Sequence, residues 1–312
     1  MSDIPLELFM PADRDGLDAE RGGYSNYSYW RSTFQIFLKN KLALLLLILL
    51  SFLLLFTFFQ PLLPGQRPAT EINFDESGFP LRNIQPNSEY WFGTNSIGQD
   101  LWARIWSGTR TSLLIGLLVG IVEMSMGIIY GSAWGYLRKL DRPLTEVYNV
   151  LHNIPNTVVL ILMAYIFRPG FSTMVLAMSL TGWYGMARFI RNQIIIIRDR
   201  EYNLASRCLG TCTGRIIYKN LLPYLVSVIM LQSALSIPLT IGWEVFLTYL
   251  GLGLPTSIPS LGNLVNDGRV LMMSPELRYQ LIFPTLILSV ITISMYLLGN
   301  AFADASDPRN HQ

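Results

Sequence analysis

Charge is what this chain of 312 residues has little of. Lys, Arg, Asp and Glu make up 14% of it, against 51% apolar residues and a mean hydropathy of +0.37. A soluble domain is about a quarter charged, so much of this surface must face something other than water. The net charge is only +2, which supplies no basic excess for nucleic-acid phosphates. The apolar content excludes a disordered chain. Cysteine is nearly missing as well: Cys208 and Cys212 stand four residues apart in a basic segment, which gives neither a C-x-x-C motif nor a disulfide framework. The two histidines, His152 and His311, are too few and too distant for a histidine-built metal site. No Gly-Lys pair occurs, so a G-x-x-x-x-G-K-[ST] phosphate loop is excluded, and Gly251 and Gly253 without a third glycine form no dinucleotide site. G-x-S-x-G and H-E-x-x-H are absent too, which leaves an intramembrane hydrolase without its nucleophile or metal pair. The expectation is an all-α polytopic membrane protein that is not an enzyme and binds no cofactor or metal itself.

What is present is a series of long apolar runs. The first, residues 42–59, has eighteen residues without a charge, just enough to span about 30 Å of hydrocarbon at 1.5 Å per residue. Forty-one residues precede it, several acidic, and no A-x-A site follows, so it reads as an anchor rather than a signal peptide. A polar stretch at 60–111 follows, with Trp91, Trp102 and Trp106 suggesting a helix at the outer membrane interface; help in docking an external binding protein is the other reading of these tryptophans. Further spans are expected at about 112–137, 147–167, 171–190, 224–250 and 279–301, six in all. The second carries Gly116, Gly120, Gly127, Gly131 and Gly135, whose small-xxx-small spacing suits packing against protein rather than lipid.

The placement of lysine and arginine sets the orientation. With the N-terminus inside, the inner segments hold five, three, seven and one basic residues, and the outer ones hold seven. The positive-inside rule therefore puts both termini in the cytoplasm. The segment of seven is a single loop, Arg188, Arg191, Arg198, Arg200, Arg207, Arg215 and Lys219. Residues 201–211 in it read as a short amphipathic helix, with Leu204, Cys208 and Leu209 on one side and Arg207 on another. Gly210 suits its C-cap, and Pro223 suits the first turn of the helix that follows.

Polar groups inside the spans are costly and face protein or water. Asn149, His152, Asn153 and Asn156 fall at i, i+3, i+4 and i+7, one face of a continuous helix. With Gln232 they are the candidate lining of a translocation path, interhelical hydrogen bonding being the alternative. Glu123 and Glu244 are candidate structural polar groups. Pro155 and Pro238 mark hinges or simple kinks.

Several of these residues together resemble a known family. Ala205, Gly210 and Leu222-Pro223 are spaced as in the EAA loop of ABC-importer permeases, and the string from Arg200 to Thr211 is similar to the dipeptide/oligopeptide branch, nearest its C-type permease subunit. Trp183, Ala187-Arg188 and Arg191 resemble the approach to that loop. Trp91 to Thr94, Gly98, Asp100, Arg104 and Gly108 to Leu113 resemble the stretch before span two. Glu244, the stretch 246–253 and Pro259 to Gly262 resemble the end of span five, and Asp304 to Arg309 the tail. The pattern is departed from in places: Leu204 occupies the loop glutamate's position, Ser206 replaces the second alanine, and Asn95 and Gln99 stand where an acidic and a basic residue are usual.

The resemblance implies a type I ABC-importer permease fold. Its segments would be an inner segment at 1–41, a first span at 42–59, an outer loop at 60–111, a five-helix core at 112–303 containing a coupling loop at 191–222, and an inner tail at 304–312. It implies a multi-pass protein of the bacterial plasma membrane, paired with a homologous permease subunit. Two cytosolic ATPase subunits would carry ATP and Mg, and an extracellular peptide-binding protein would deliver an oligopeptide. Glu201, Leu204, Ala205, Ser206, Arg207, Leu209 and Gly210 would be the contact to an ATPase. A permease for dipeptides or metal chelates, and a proton-coupled secondary transporter using Glu123 or Glu244, are the alternatives.

Overall fold

The computed structural model describes residues 29–306, with side chains from Thr33 onward. The expectations for residues 1–28 and for the end of the tail, including Arg309 and His311, lie outside the described residues. Within them the chain is all helix and loop, with no strand beyond two isolated bridges, Phe74 to Pro80 and Thr94 to Asp100.

Helix α1 (Tyr29–Lys39) leads into α2 (Lys41–Phe59), whose first turn is capped by the Asn40 side chain accepting from the Ala43 amide at 3.1 Å. Helix α3 (Leu101–Tyr136) is 36 residues long and starts at Asp100, which caps the Trp102 amide. Then come α4 (Asp141–Asn153), α5 (Asn156–Ile166), α6 (Phe171–Ile197), α7 (Glu201–Cys208) and α8 (Thr213–Ile216). A π-helical turn at Ile217–Leu221 joins α9 (Leu222–Tyr249), and α10 (Leu261–Val270) and α11 (Tyr279–Ser306) complete the chain.

Among the described residues four continuous helical stretches are long and apolar enough to cross a membrane: 41–62, 101–136, 213–249 and 279–306; counting the bent pair α4–α5 as one span gives five. Helix α6 has the length, 27 residues or about 40 Å, but is less apolar, with Thr181, Tyr184, Arg188 and Arg191 along it.

Three expectations change. The span expected at 147–167 is not one helix: it breaks at Ile154-Pro155 and turns by 72°, because proline disfavours helical geometry in the residue before it. The helix expected to begin at about 112 begins at Leu101, so Trp102 and Trp106 belong to the first turns of α3 and not to a separate interfacial helix. The basic loop is shorter than 191–222, since α6 runs on to Ile197.

The glycines of α3 are divided between two neighbours. A Cβ at Gly116 would meet Ile237 of α9 at 2.9 Å, whereas one at Gly131 would meet the Ala187 carbonyl oxygen of α6 at 2.5 Å. One helix is thus held between two others at backbone distance. The buried cluster of Met186, Ile190 and Ile194 with Ile216, Leu221 and Leu225 ties α6 to the start of α9. Lipid or a partner must cover much of the rest: Leu45, Ile48, Phe52 and Leu55 on α2 are all more than half exposed.

Candidate functional site

Helix α7 stands out as a short helix pinned from below and bare above. Its end is a Schellman turn: the Gly210 amide donates to Arg207 O at 2.9 Å and Thr211 to Ser206 O at 3.0 Å, with Gly210 at φ +78°. Only glycine takes that conformation without strain. On the inner side Asn203 is fully buried, donating to Ile197 O at 2.9 Å and accepting from Asn220 at 3.1 Å. On the α3 side Asp199 accepts from Arg138 at 3.0 Å, Arg198 at 3.2 Å and Arg207 at 3.1 Å. Arg207 also donates to Arg198 O and lies 5.4 Å over the Tyr136 ring, and Arg198 donates to Gly135 O at 2.8 Å. Desolvation lifts the Asp199 carboxyl, but the hydrogen bonds from the three arginines outweigh it and hold it below its ordinary value.

The sequence-predicted loop residues fall on both sides of this helix. Glu201, Leu204, Ala205, Leu209 and Gly210 are exposed, Leu204 at 44% and Leu209 at 86%, while Ser206 and Arg207 are half-buried. Ser206 bonds back to Tyr202 O and Asn220. Asn203, Asn220 and Asp199 are the residues that sequence reasoning missed. The one signal was an aspartate set between two arginines at 198–200.

The candidate path residues do not stay together. Asn156 starts α5, beyond the break, so the stripe is no single helical face. Asn153 bonds back to Asn149 O at 2.7 Å, and His152 stacks on Tyr148 with ring centroids 5.1 Å apart. Asn156 instead accepts from the Tyr184 hydroxyl and lines a cavity of about 240 Å³ with Glu123, Thr181, Tyr184, Gln232 and Trp243. Gln232 thus joins Asn156, and Asn149, His152 and Asn153 lie outside. Glu123 projects over Gly182, where an added Cβ would fall 1.6 Å from its Oε1. It forms no hydrogen bond or ion pair among the described residues.

Glu244 is placed differently. It is fully buried, and its Oε2 accepts from Ser112 Oγ at 2.7 Å, which in turn accepts from the Leu261 amide at 3.1 Å. Its Oε1 rests against Gly262 in the first turn of α10, where a helix amino end favours negative charge. The outer segment carries a second buried polar node. Asn95 donates to Gln99 Oε1 at 3.0 Å and accepts from the Gln99 amide at 2.8 Å, and Arg104 donates to the same Oε1 and to Thr256 O. Among the described residues no group of three His, Cys, Asp or Glu is placed to hold a metal ion.

Residues 124–312 match the binding-protein-dependent transport system inner membrane component family, and residues 28–83 match the N-terminal TM domain of oligopeptide transport permease C. The chain is 39% identical to the oligopeptide transport system permease protein AmiD of Streptococcus pneumoniae (strain ATCC BAA-255 / R6), over 100% of both chains. It is 33% identical to the dipeptide transport system permease protein DppC of Bacillus subtilis (strain 168), over 98% of this chain and 94% of that one. An inward-facing structure of the MetNI methionine ABC transporter shares the fold, with a TM-score of 0.52 at 18% identity over 65% of this chain and 96% of that one.

Proposed function

Because the chain belongs to the family of binding-protein-dependent transport inner membrane components, we propose that it is the permease subunit of an ATP-driven ABC importer for oligopeptides. It crosses the plasma membrane six times with both termini inside, α6 and the bent α4–α5 pair each counting as one span. It pairs with a homologous permease, and their interface forms the path. Two cytosolic ATPases supply the energy, and an extracellular binding protein delivers the peptide.

The observation that carries this reading is α7. A lever must be stiff, attached to its load and bare where it is pushed. Here Asn203, Asp199 and Arg207 fasten the helix to α6, α3 and the turn before α9, and Leu204 and Leu209 face outward. An ATPase that grips this face moves three membrane helices together. With Leu204 at the usual glutamate's position, the contact is apolar. The relative at 39% identity and the model matching residues 28–83 are both of oligopeptide permeases, which supports oligopeptides as the substrate class.

The test is purification of the native complex in mild detergent, with subunit identification and a peptide-stimulated ATPase assay. Recovery of a second permease and two ATPases with peptide-stimulated hydrolysis is expected; the chain alone, with no ATPase, overturns the proposal. Within that complex Leu204→Asp is expected to cut peptide uptake about tenfold, the loss of one buried apolar contact plus a charge without a partner. Unchanged uptake would show that Leu204 is outside the contact.

A further inference from the structure

The cavity beside α3 contains a carboxylate that the fold itself does not neutralise. Glu123 lines the cavity with Asn156, Thr181, Tyr184, Gln232 and Trp243, and no lysine, arginine or histidine is among the lining residues. A carboxylate withdrawn from water is expensive unless it is protonated or meets a cation. Neighbouring groups can serve a cation beside this carboxylate: the amide oxygens of Asn156 and Gln232 can accept, and an indole face attracts positive charge. Glycine at 182 leaves the space into which the carboxylate projects, since a methyl group there would fall on its oxygen.

The cation is further limited by size and charge. The cavity, about 240 Å³ and open at its rim, has room for one end of a peptide. A divalent metal is unsuited, because a hard cation wants six or more oxygen ligands and usually more than one carboxylate. A monovalent ammonium with its three N–H donors fits one carboxylate and flanking amide oxygens. The rim of the cavity is open, with Gly185, Leu239 and Trp243 exposed, so a group travelling along the protein surface can enter it.

Resting on the reading of the chain as a peptide permease, we propose that Glu123 with Asn156, Gln232 and Trp243 forms a station in the path that receives the α-ammonium group of the passing peptide. Transport then discriminates for a free amino terminus at the permease itself.

The experiment uses the complete complex in liposomes with saturating, pre-loaded binding protein, and compares uptake of a tetrapeptide with that of its N-acetylated form. Wild type is expected to prefer the free amine. Glu123→Gln is expected to lower free-amine uptake about tenfold, the size of one charge-assisted hydrogen bond, and to leave acetylated uptake unchanged. Glu123→Asp is expected to keep the preference. Should Glu123→Gln fail to assemble, Trp243→Leu reads the same ratio and is expected to reduce it severalfold. A ratio unchanged by these variants overturns the station alone, as when a partner subunit's cation occupies Glu123. Wild-type complex that takes up neither peptide overturns the peptide-permease reading, and the station with it.

Discussion

Glu123 and Glu244 are both acidic residues within apolar helices, and the fold treats them in opposite ways. Glu244, on α9, is sealed against α3 and α10: Ser112 donates to one oxygen, and the other packs against the start of α10 without a hydrogen bond among the described residues. Glu123 faces a cavity and has no hydrogen bond among the described residues. The difference teaches that the number of partners, more than depth, separates a group that holds helices together from one that waits for a ligand. A partnered carboxylate stabilises the fold that surrounds it, and a bare one costs stability.

The largest expected effect follows directly. Glu244→Ala removes the acceptor for Ser112 and leaves a hole where three helices meet, costing about 3 kcal/mol. Glu123→Ala is expected to leave stability unchanged or raise it. Thermal unfolding of the detergent-purified complex compares the two, and equal losses would break the contrast.

The glycines opposite the two carboxylates provide a smaller and sharper probe. A Cβ at Gly262 would stand 2.5 Å from Glu244 Oε1 and 3.1 Å from Thr248 Oγ1; both side chains are buried, and Gly262→Ala is expected to cost about 2 kcal/mol. A Cβ at Gly182 would come even closer to Glu123, at 1.6 Å, yet that side chain can swing into the cavity. Gly182→Ala is therefore expected to cost under about 0.5 kcal/mol. The nearer clash gives the lesser penalty, and the same unfolding assay shows whether it does.

This contrast was hidden from the sequence. The partner of Glu244, Ser112, lies on another helix 132 residues away along the chain, and hydropathy assigns the two glutamates one label. What was legible had local causes. The glycine spacing in α3 foretold close packing, Gly210 ended α7 and Pro223 opened α9, each by conformational preferences within a few residues. Helix limits were misjudged because hydropathy measures the lipid-facing stretch, whereas helices continue through polar segments, as α3 does back to Leu101 and α6 forward to Ile197. The bend before α5 was signalled by Pro155, but its consequence, sending Asn156 to the cavity and leaving Asn149 and Asn153 outside, needed the tertiary structure.

The smallest expected effect concerns α7, where an exposed carboxylate is well supplied with partners. The three arginines hold the Asp199 carboxyl below its ordinary value of 3.8. A depressed folded value means that its stabilisation is complete above 3.8 and fades as the pH falls through the lower folded value. Resistance of the 198–211 segment to proteolytic nicking is thus expected to be level from pH 8 to 5, and Asp199→Asn to lower it modestly and evenly across that range. A fall already between pH 7 and 5 in the wild-type chain would assign the pinning to another group.

The most direct measurement sets Glu123→Gln beside Glu244→Gln in the reconstituted complex, scoring both the yield of assembled complex and peptide uptake per complex. The account predicts that Glu123→Gln assembles like wild type and transports the free-amine peptide about tenfold more slowly, while Glu244→Gln assembles poorly and its surviving complexes transport normally. Poor assembly of Glu123→Gln with normal uptake per complex, together with slow transport by well-assembled Glu244→Gln, would contradict it.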